Sequence, residues 1–117
     1  MDLVADNKKK IIIYPSRTAI IPTGIAVVIP KNFEIQIRPR SGLAAKKGIT
    51  VLNTPGTVDS DYRGEIKIIL INLSKKKFVV RSGDRIAQMV VCPIVKARLG
   101  VVKNLPRSVR GKKGFGS

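Results

Sequence analysis

The chain contains no histidine and a single cysteine, and only seven of its 117 residues are acidic. Without histidine, a carboxylate is the natural candidate for any general base that works near neutral pH. One cysteine cannot form an internal disulfide, which favours a reducing compartment. Cys92 lies in an apolar stretch with no histidine to activate it, so we interpret it as a small buried hydrophobe rather than a nucleophile.

Long hydrophobic runs are also absent. No apolar stretch approaches the ~18 residues that a membrane-spanning helix needs, and the start Met1-Asp2-Leu3 lacks a charged and then apolar export leader. We therefore expect a cytoplasmic protein without a membrane partner. The length predicts a single domain, residues 1–117, that is large enough to bury a core.

Positive charge dominates the composition. The formal net charge is +16 and the isoelectric point is near 10.7, which indicates polyanionic partners such as nucleic acid, membrane headgroups or phosphorylated small molecules. Much of the excess is lysine in short runs, and such runs are usually solvated turns and strand edges. We expect solvated lysine to account for most of the charge, with the anion site held by a few arginines. The runs are Lys8–Lys10, Lys75–Lys77 and Lys112–Lys113.

Short β-like segments separated by turn residues make up most of the sequence. Residues 33–38 alternate between apolar and polar side chains, and residues 65–72 carry apolar side chains on both faces. The pattern predicts an all-β fold, an antiparallel jelly roll or distorted β-barrel, with at most one short helix at residues 41–47. Residues 106–117 cannot bury much and are interpreted as a mobile C-terminal arm. The other predicted strands are 11–14, 26–29, 51–52, 78–81 and 86–95.

The densest chemistry lies in Gly56 to Gly64, which combines two carboxylates, a tyrosine, an arginine and two glycines just before a predicted strand. Glycine lets a backbone approach a ligand closely, and a strand holds the neighbouring side chains still. This segment is therefore a candidate site, with Asp59 and Asp61 as its candidate carboxylates.

Three further segments could contact an anion or a base. Pro39 to Leu43 offers an arginine, a serine and a glycine, and a helix starting there would add free N–H groups; a plain strand-to-loop turn is the alternative. Gly83 to Met89 places Gln88 between apolar neighbours, where an amide needs a bonding partner, or else on the polar face after a Gly-Asp turn. Arg110 to Ser117 carries an isolated aromatic that suits base stacking, or is a disordered basic tail.

Taken in order, these four segments resemble the motifs of the trimeric dUTP pyrophosphatases (dUTPases). The segments are Pro39–Leu43, Asn53–Gly64, Gly83–Met89 and Arg110–Ser117, and Met1-Asp2-Leu3 is similar to the end of the family's first motif. The resemblance covers the whole chain. Each motif alone is weak, but four in the right order are specific.

The resemblance implies Mg²⁺-dependent hydrolysis of dUTP to dUMP and pyrophosphate, in a homotrimer whose active sites are shared between subunits. Asp59 would deprotonate the water that attacks the α-phosphorus, which agrees with a carboxylate base. Asp61 would instead be a structural ion-pair partner for an arginine. Mg²⁺ would be held by the substrate phosphates and waters rather than by protein ligands, in keeping with a sequence that has no carboxylate cluster.

The same resemblance implies the substrate contacts. A β-hairpin from Asn53 to Tyr62 would bind uracil mainly through backbone groups and exclude thymine and cytosine, and Tyr62 would pack under the deoxyribose. The arm would close over the nucleotide, with Phe115 stacked on uracil and Arg110 near the γ-phosphate. The implied substrate-binding residues are Arg40, Ser41, Gly42 and Gln88 for the phosphates, Asn53, Gly56, Val58 and Tyr62 for the nucleoside, and Arg110, Phe115, Gly116 and Ser117 in the arm.

The sequence departs from the family pattern in the arm and at both ends. Lys113 stands where the last motif usually has the first of two glycines before phenylalanine, which removes backbone freedom where the arm must close. The chain begins inside the first motif and ends at Ser117, where the family normally continues with Thr-Gly.

Two other functions stay open beside dUTP hydrolysis. One is a dCTP deaminase of the same fold, against which the uracil-hairpin signature and the glycine-rich aromatic tail both argue. The other is a nucleic-acid-binding β-barrel, suggested by the net charge. Such barrels usually carry several surface aromatics, whereas this chain has only three Phe and two Tyr, so nucleic acid is not expected to be the primary partner.

Overall fold

The computed structural model describes residues 1–116, which form nine strands and one short helix. This confirms the all-β prediction, including a helix at the one stretch where it was expected. In chain order the elements are β1 (Asp2–Val4), β2 (Ile11–Ile13), β3 (Thr18–Pro22), β4 (Phe33–Arg38), α1 (Ser41–Lys47), β5 (Ile49–Val51), β6 (Gly56–Val58), β7 (Lys67–Asn72), β8 (Phe78–Val80) and β9 (Arg85–Pro93).

The strands form three antiparallel sheets, with strand orders β1-β9-β4-β6, β2-β8 and β3-β7-β5. The sequence predicted either a jelly roll or a distorted β-barrel. These sheets do not close into a barrel, so the structure supports the jelly roll. Within residues 1–116 no helix is long and apolar enough to cross a membrane, because α1 has only seven residues.

The core is almost entirely aliphatic and lies between the sheets. Alternation along β4 and β7 turns one face of each strand inward: Ile35 and Ile37 of β4, and Ile68 and Leu70 of β7, are all buried. Phe33, which the alternation places on the same face of β4 as Ile35 and Ile37, is only partly buried. The other buried hydrophobic residues are Leu3, Ala5, Ile13, Ile21, Ile49, Val51, Val58, Ile66, Val80, Ile86 and Ala87.

Three local predictions were wrong or incomplete. Residues 26–29 form no strand: Val27 and Ile29 pack against the core, but the backbone joins no sheet. Strands β1 and β3 were not predicted, since neither has a long apolar run of its own; each forms by pairing with a longer strand, β9 or β7. Cys92 is only partly buried, because it lies in β9 opposite Glu34, near the end of both strands.

Candidate active site

Asp2 gathers three side chains at one end of the four-stranded sheet. In register, Gln88 of β9 lies opposite Asp2 of β1 on one side and opposite Arg38 of β4 on the other. Gln88 donates from Nε2 to Asp2 Oδ1 at 3.1 Å, and Arg85 donates from Nη1 to Asp2 Oδ2 at 3.3 Å. Arg40 Nε lies 3.8 Å from Asp2 Oδ1, and Arg40 Nη1 donates to the Arg85 carbonyl oxygen at 3.1 Å. We call Asp2, Arg40, Arg85 and Gln88 the arginine cluster.

The electrostatics of the arginine cluster favour an anion. The hydrogen bond from Gln88 lowers the pKa of the Asp2 carboxyl below its ordinary value of 3.8; partial desolvation opposes this, and the charges of Arg40 and Arg85 lower it further. Asp2 is therefore ionised at neutral pH. Its single negative charge does not offset two guanidinium groups, so the cluster keeps an excess positive charge.

Helix α1 begins directly beside this cluster. Arg40 occupies its N-cap position with an extended backbone, and no side chain caps the helix. Ser41 and Gly42, the next two residues, are exposed. A Cβ on Gly42 would meet no atom within 4 Å in this chain. The predicted phosphate-binding residues Arg40, Ser41, Gly42 and Gln88 thus lie in one region, on a surface that is open to a ligand.

Asp59 lies elsewhere, directly after β6. The turn that follows is closed by the Tyr62 N–H, which donates to the Asp59 carbonyl oxygen at 3.1 Å, while the Tyr62 hydroxyl donates to the Glu65 carbonyl oxygen at 3.0 Å. Within residues 1–116 the Asp59 carboxylate takes part in no hydrogen bond or ion pair, and it is exposed. It lines a pocket of about 230 Å³, the Asp59 pocket, with Thr57, Val58, Tyr62, Glu65, Ile66 and Lys67.

Two glycines make this arrangement possible. A Cβ on Gly64 would collide with the hydroxyl and ring of Tyr62, so only glycine lets the ring lie across the backbone here. Gly56 is buried, and a Cβ there would lie 3.2 Å from Ile37 Cβ and 3.3 Å from Asn53 Nδ2. The sequence analysis expected these glycines to let the backbone approach a ligand. In the structure they instead make room for side chains of the same chain, namely Tyr62, Ile37 and Asn53.

The prediction of a β-hairpin from Asn53 to Tyr62 is wrong, because no two strands pair with each other within this segment. Strand β5 pairs with β7 and β6 pairs with β4, so residues 52–55 are a turn that links two sheets. Each strand finds a longer partner outside the segment, which local sequence cannot reveal. Asn53 is exposed, whereas Val58 is buried.

The expected ion pair of Asp61 with an arginine is likewise not found within residues 1–116. The ion pairs there join Asp2 to Arg40 and Arg85, and Glu65 to Lys67.

In the C-terminal segment, Ile94 and Lys96 line a second cleft with Asp59, whereas none of residues 97–116 lines the Asp59 pocket or bonds to the arginine cluster. Residues 94–116 form no helix or strand. Arg110 Nε donates to the Lys113 carbonyl oxygen at 2.8 Å, and the Phe115 side chain is fully exposed at 112%. Phe115 and Gly116 both have positive φ, 52° and 81°. Ser117, the last predicted arm contact, lies outside the described residues.

The register of β4 separates the two sites in one chain. Val58, the residue before Asp59, lies opposite Ile35, and Arg40 lies five residues further along. At 3.3 Å per residue this is a separation of about 16 Å. No side chain spans that distance, so a single copy does not bring Asp59 to the arginine cluster.

Comparison with known proteins identifies the family. The family model described as dUTPase matches residues 1–117. The deoxyuridine 5'-triphosphate nucleotidohydrolases of Clostridium tetani and Rickettsia canadensis are 59% and 56% identical to this chain, covering 100% of it and 79% of each relative. A solved structure, a mutant of the dUTPase of phage 80alpha, matches with a TM-score of 0.86 at 25% identity over 98% of this chain and 83% of that one. The chain belongs to the dUTPase family.

Membership of the dUTPase family confirms the resemblance drawn from the four motifs and the expectation of an enzyme. The sequence did not single out Asp2 or Arg85, which organise the arginine cluster. A signal for both was present: Asp2 is the one acidic residue in the stretch similar to the first dUTPase motif, and Arg85 lies inside the Gly83–Met89 motif. Lys67, which lines the Asp59 pocket, carried no motif signal.

Proposed function

We propose that this chain hydrolyses dUTP to dUMP and pyrophosphate by attack of a water on the α-phosphorus, with Asp59 as the general base. The proposal depends on one observation: the residues of the dUTPase-like motifs lie in two sites that suit different parts of a nucleotide. One is a cationic cluster suited to phosphates, and the other is a pocket with an unengaged carboxylate beside a tyrosine. The reaction would supply dUMP for dTTP synthesis and, by removing dUTP, keep uracil out of DNA, which is the role we propose in nucleotide metabolism.

Asp59 suits the role of base. Its carboxylate is exposed at the rim of a pocket and is free to accept a proton from water, while the Asp59–Tyr62 turn fixes its backbone. A base must lie within hydrogen-bond reach of the proton that it removes. We propose that Asp59 accepts a proton from a water that lies between its carboxylate and the α-phosphorus of the bound nucleotide.

The nucleoside belongs to the same pocket. The Tyr62 ring, held by its bond to the Glu65 carbonyl and by the space above Gly64, offers a flat apolar surface for the deoxyribose. Asn53, Gly56 and Val58 frame the adjoining turn, and a tight fit there would exclude the thymine methyl and mismatch the amino group of cytosine.

The triphosphate belongs to the arginine cluster. Arg40 and Gln88 are already oriented by Asp2, and the guanidinium of Arg40 can pair with phosphate oxygens through two N–H groups. Ser41 and Gly42 add a hydroxyl and backbone amides on the open surface at the start of α1. The excess positive charge of the cluster offsets the charge of the phosphates.

Mg²⁺ is the cofactor that we propose. Within residues 1–116 no group of three His, Cys, Asp or Glu side chains is placed to hold a metal ion. The donor set therefore suits an ion held through the three substrate phosphates and waters, where it would neutralise charge on the phosphates and polarise them.

We propose that the working enzyme is a homotrimer with shared sites. The attacking water must contact both Asp59 and the α-phosphorus, yet the phosphate-binding cluster of the same chain lies about 16 Å away along β4. A second copy that brings its arginine cluster to the Asp59 pocket removes this conflict. The arm supports sharing as well: Phe115 is fully exposed in its own chain, and we propose that Arg110, Phe115, Gly116 and Ser117 close over a nucleotide bound to another copy.

The decisive experiment is pyrophosphate release from dUTP compared with dTTP, dCTP and UTP, with and without Mg²⁺. We expect release from dUTP only, because the pocket discriminates both base and sugar. Asp59→Asn should lower turnover by at least a hundredfold while nucleotide binding stays largely intact. Full activity of that variant would exclude Asp59 as the base, and ammonia release from dCTP would establish the deaminase instead.

A further inference from the structure

A second cationic site lies at the C-terminal end of helix α1. It is a cleft of about 610 Å³, which we call the lysine cleft. The last turn of α1 contributes Lys46 and Lys47, and the turn between β7 and β8 contributes three more lysines. No acidic residue lines it. The lining residues are Lys46, Lys47, Gly48, Ser74, Lys75, Lys76, Lys77, Phe78 and Val79.

The backbone of the lysine cleft is held by buried hydrogen bonds. Asn72 is fully buried, and its Nδ2 donates to the carbonyl oxygens of Ile13 and Lys76, both at 2.8 Å. Its Oδ1 accepts from the Ser74 N–H at 2.9 Å and from the Ser74 hydroxyl at 2.8 Å. The Leu73 N–H donates to the Gly48 carbonyl oxygen at 2.8 Å, which ties this turn to the end of α1. The two lysine-bearing segments are thus fixed beside each other.

The charges of the cleft are not offset within the chain. All five lysines are exposed, and in the part of the chain that the structure describes none lies within 4.0 Å of a carboxylate, unlike Lys67, which pairs with Glu65. Attraction to the negative end of the α1 dipole explains Lys46 and Lys47 alone. It does not explain why Lys75–Lys77 are fixed next to them, where like charges repel. An anionic ligand would relieve that repulsion.

The composition of the lysine cleft selects among anionic partners. Lysine is depleted at the cores of protein–protein interfaces, so a folded protein is a poor fit. Phe78 lines the cleft beside the lysines and is only partly buried, although it also packs against the core. Lysines that follow a phosphate backbone, with an aromatic side chain for a base, are the pattern of proteins that bind single strands without sequence preference.

We propose that the lysine cleft is a binding site for single-stranded nucleic acid; it adjoins the arginine cluster, since Phe78 and Val79 also line a pocket with Arg40 and Arg85. The five lysines contact successive phosphates and Phe78 contacts one base. Binding is sequence-tolerant, since no side chain in the cleft is placed for base-edge recognition, and it is secondary to the enzymatic role.

The test is fluorescence anisotropy of the full chain with a labelled 20-nucleotide mixed-sequence DNA strand at several salt concentrations. Five phosphate contacts predict a slope of log K against log salt of about −3.5 for each cleft, and Lys75→Gln, Lys76→Gln, Lys77→Gln together should reduce its magnitude by about 2. The matched control is Lys8→Gln, Lys9→Gln, Lys10→Gln, which removes the same charge from an exposed run outside the cleft. It should leave the slope nearly unchanged.

Phe78 separates nucleic acid from other polyanions. Phe78→Leu should weaken binding of the DNA strand by about fivefold or more while leaving binding of inorganic polyphosphate unchanged. dUTP turnover, measured in parallel, should be retained in the lysine variants, and far-UV circular dichroism shows whether Phe78→Leu is folded. Equal loss in the Lys8–Lys10 control would mean that net charge alone binds DNA. Equal affinity for polyphosphate with no effect of Phe78→Leu would also overturn the assignment to nucleic acid.

Discussion

Asp2 illustrates how one residue can organise a site without being its reactive group. Its two carboxylate oxygens engage Gln88 and Arg85 of β9 and Arg40 at the N-cap of α1. Long cationic side chains lose rotamer freedom when they are ordered. Because Asp2 holds them in place before a ligand arrives, less of that entropy remains to be lost when phosphates bind.

The pKa of Asp2 gives a prediction at the residue scale. Because the folded-state pKa is lowered, the Asp2 carboxylate contributes stability that is fully present above the ordinary value of 3.8 and is lost as the pH falls through the folded pKa. An NMR titration of the Asp2 carboxyl should therefore give a midpoint below 3.8. Gln88→Met should move that midpoint upward, since it removes the largest cause. A midpoint that does not move would show that Gln88 makes no such bond in solution.

At the scale of the element, the β7–β8 turn depends on one buried amide. Asn72 donates to the carbonyl oxygens of Ile13 and Lys76 and accepts from the N–H and hydroxyl of Ser74. Gly48 fits against the same turn in the left-handed conformation, with φ 64°, and a Cβ there would lie 3.1 Å from Ser74. Both residues serve to dock α1 against the sheet that carries β5 and β7.

Asn72→Ala tests that account. The substitution removes the Asn72 donor from the buried Ile13 carbonyl, while the Lys76 carbonyl keeps the Ser74 hydroxyl, so we expect it to lower the free energy of unfolding by about 2 kcal/mol. Asn104→Ala is the matched control, since Asn104 is exposed, and it should change stability by less than about 0.5 kcal/mol. Urea unfolding of both variants measures the difference. Similar midpoints for the two would mean that water replaces the Asn72 bonds.

At the scale of the molecule, the single chain is more extended than a compact domain. Its radius of gyration is 18.7 Å, against about 13 Å expected for a compact chain of this length. The excess comes with residues 94–116, whose apolar side chains are left in water; Val95, Leu99 and Val109 are among them. Removing this apolar surface from water would be favourable. We propose that another copy of the chain covers it.

Mixed oligomers test the proposed sharing of sites. Asp59→Asn and Arg40→Met should each be nearly inactive alone. If each site takes Asp59 from one chain and Arg40 from another, random assembly of equal amounts should restore about one quarter of the wild-type sites. Turnover of dUTP after co-refolding measures this recovery. A mixture as inactive as its components would place both residues of a site on one chain.

The amino-acid sequence by itself determined the all-β class, the short helix, the aliphatic core and the family. Each of these depends on local information: alternation along β4, apolar residues on both faces of β7, and motifs whose residues are adjacent in the chain. The absence of histidine directed attention to carboxylates, and Asp59 does lie in a pocket.

Only the tertiary structure decided which segments meet. Pairing with distant strands formed β1 and β3, assigned β5 and β6 to different sheets, and left residues 26–29 without a partner strand. Register along β4 set Asp59 apart from Arg40, and the docking of α1 on the β7–β8 turn joined two lysine runs that are separated by nearly thirty residues of chain. These outcomes depend on long-range pairing, which neighbouring residues in the sequence do not specify.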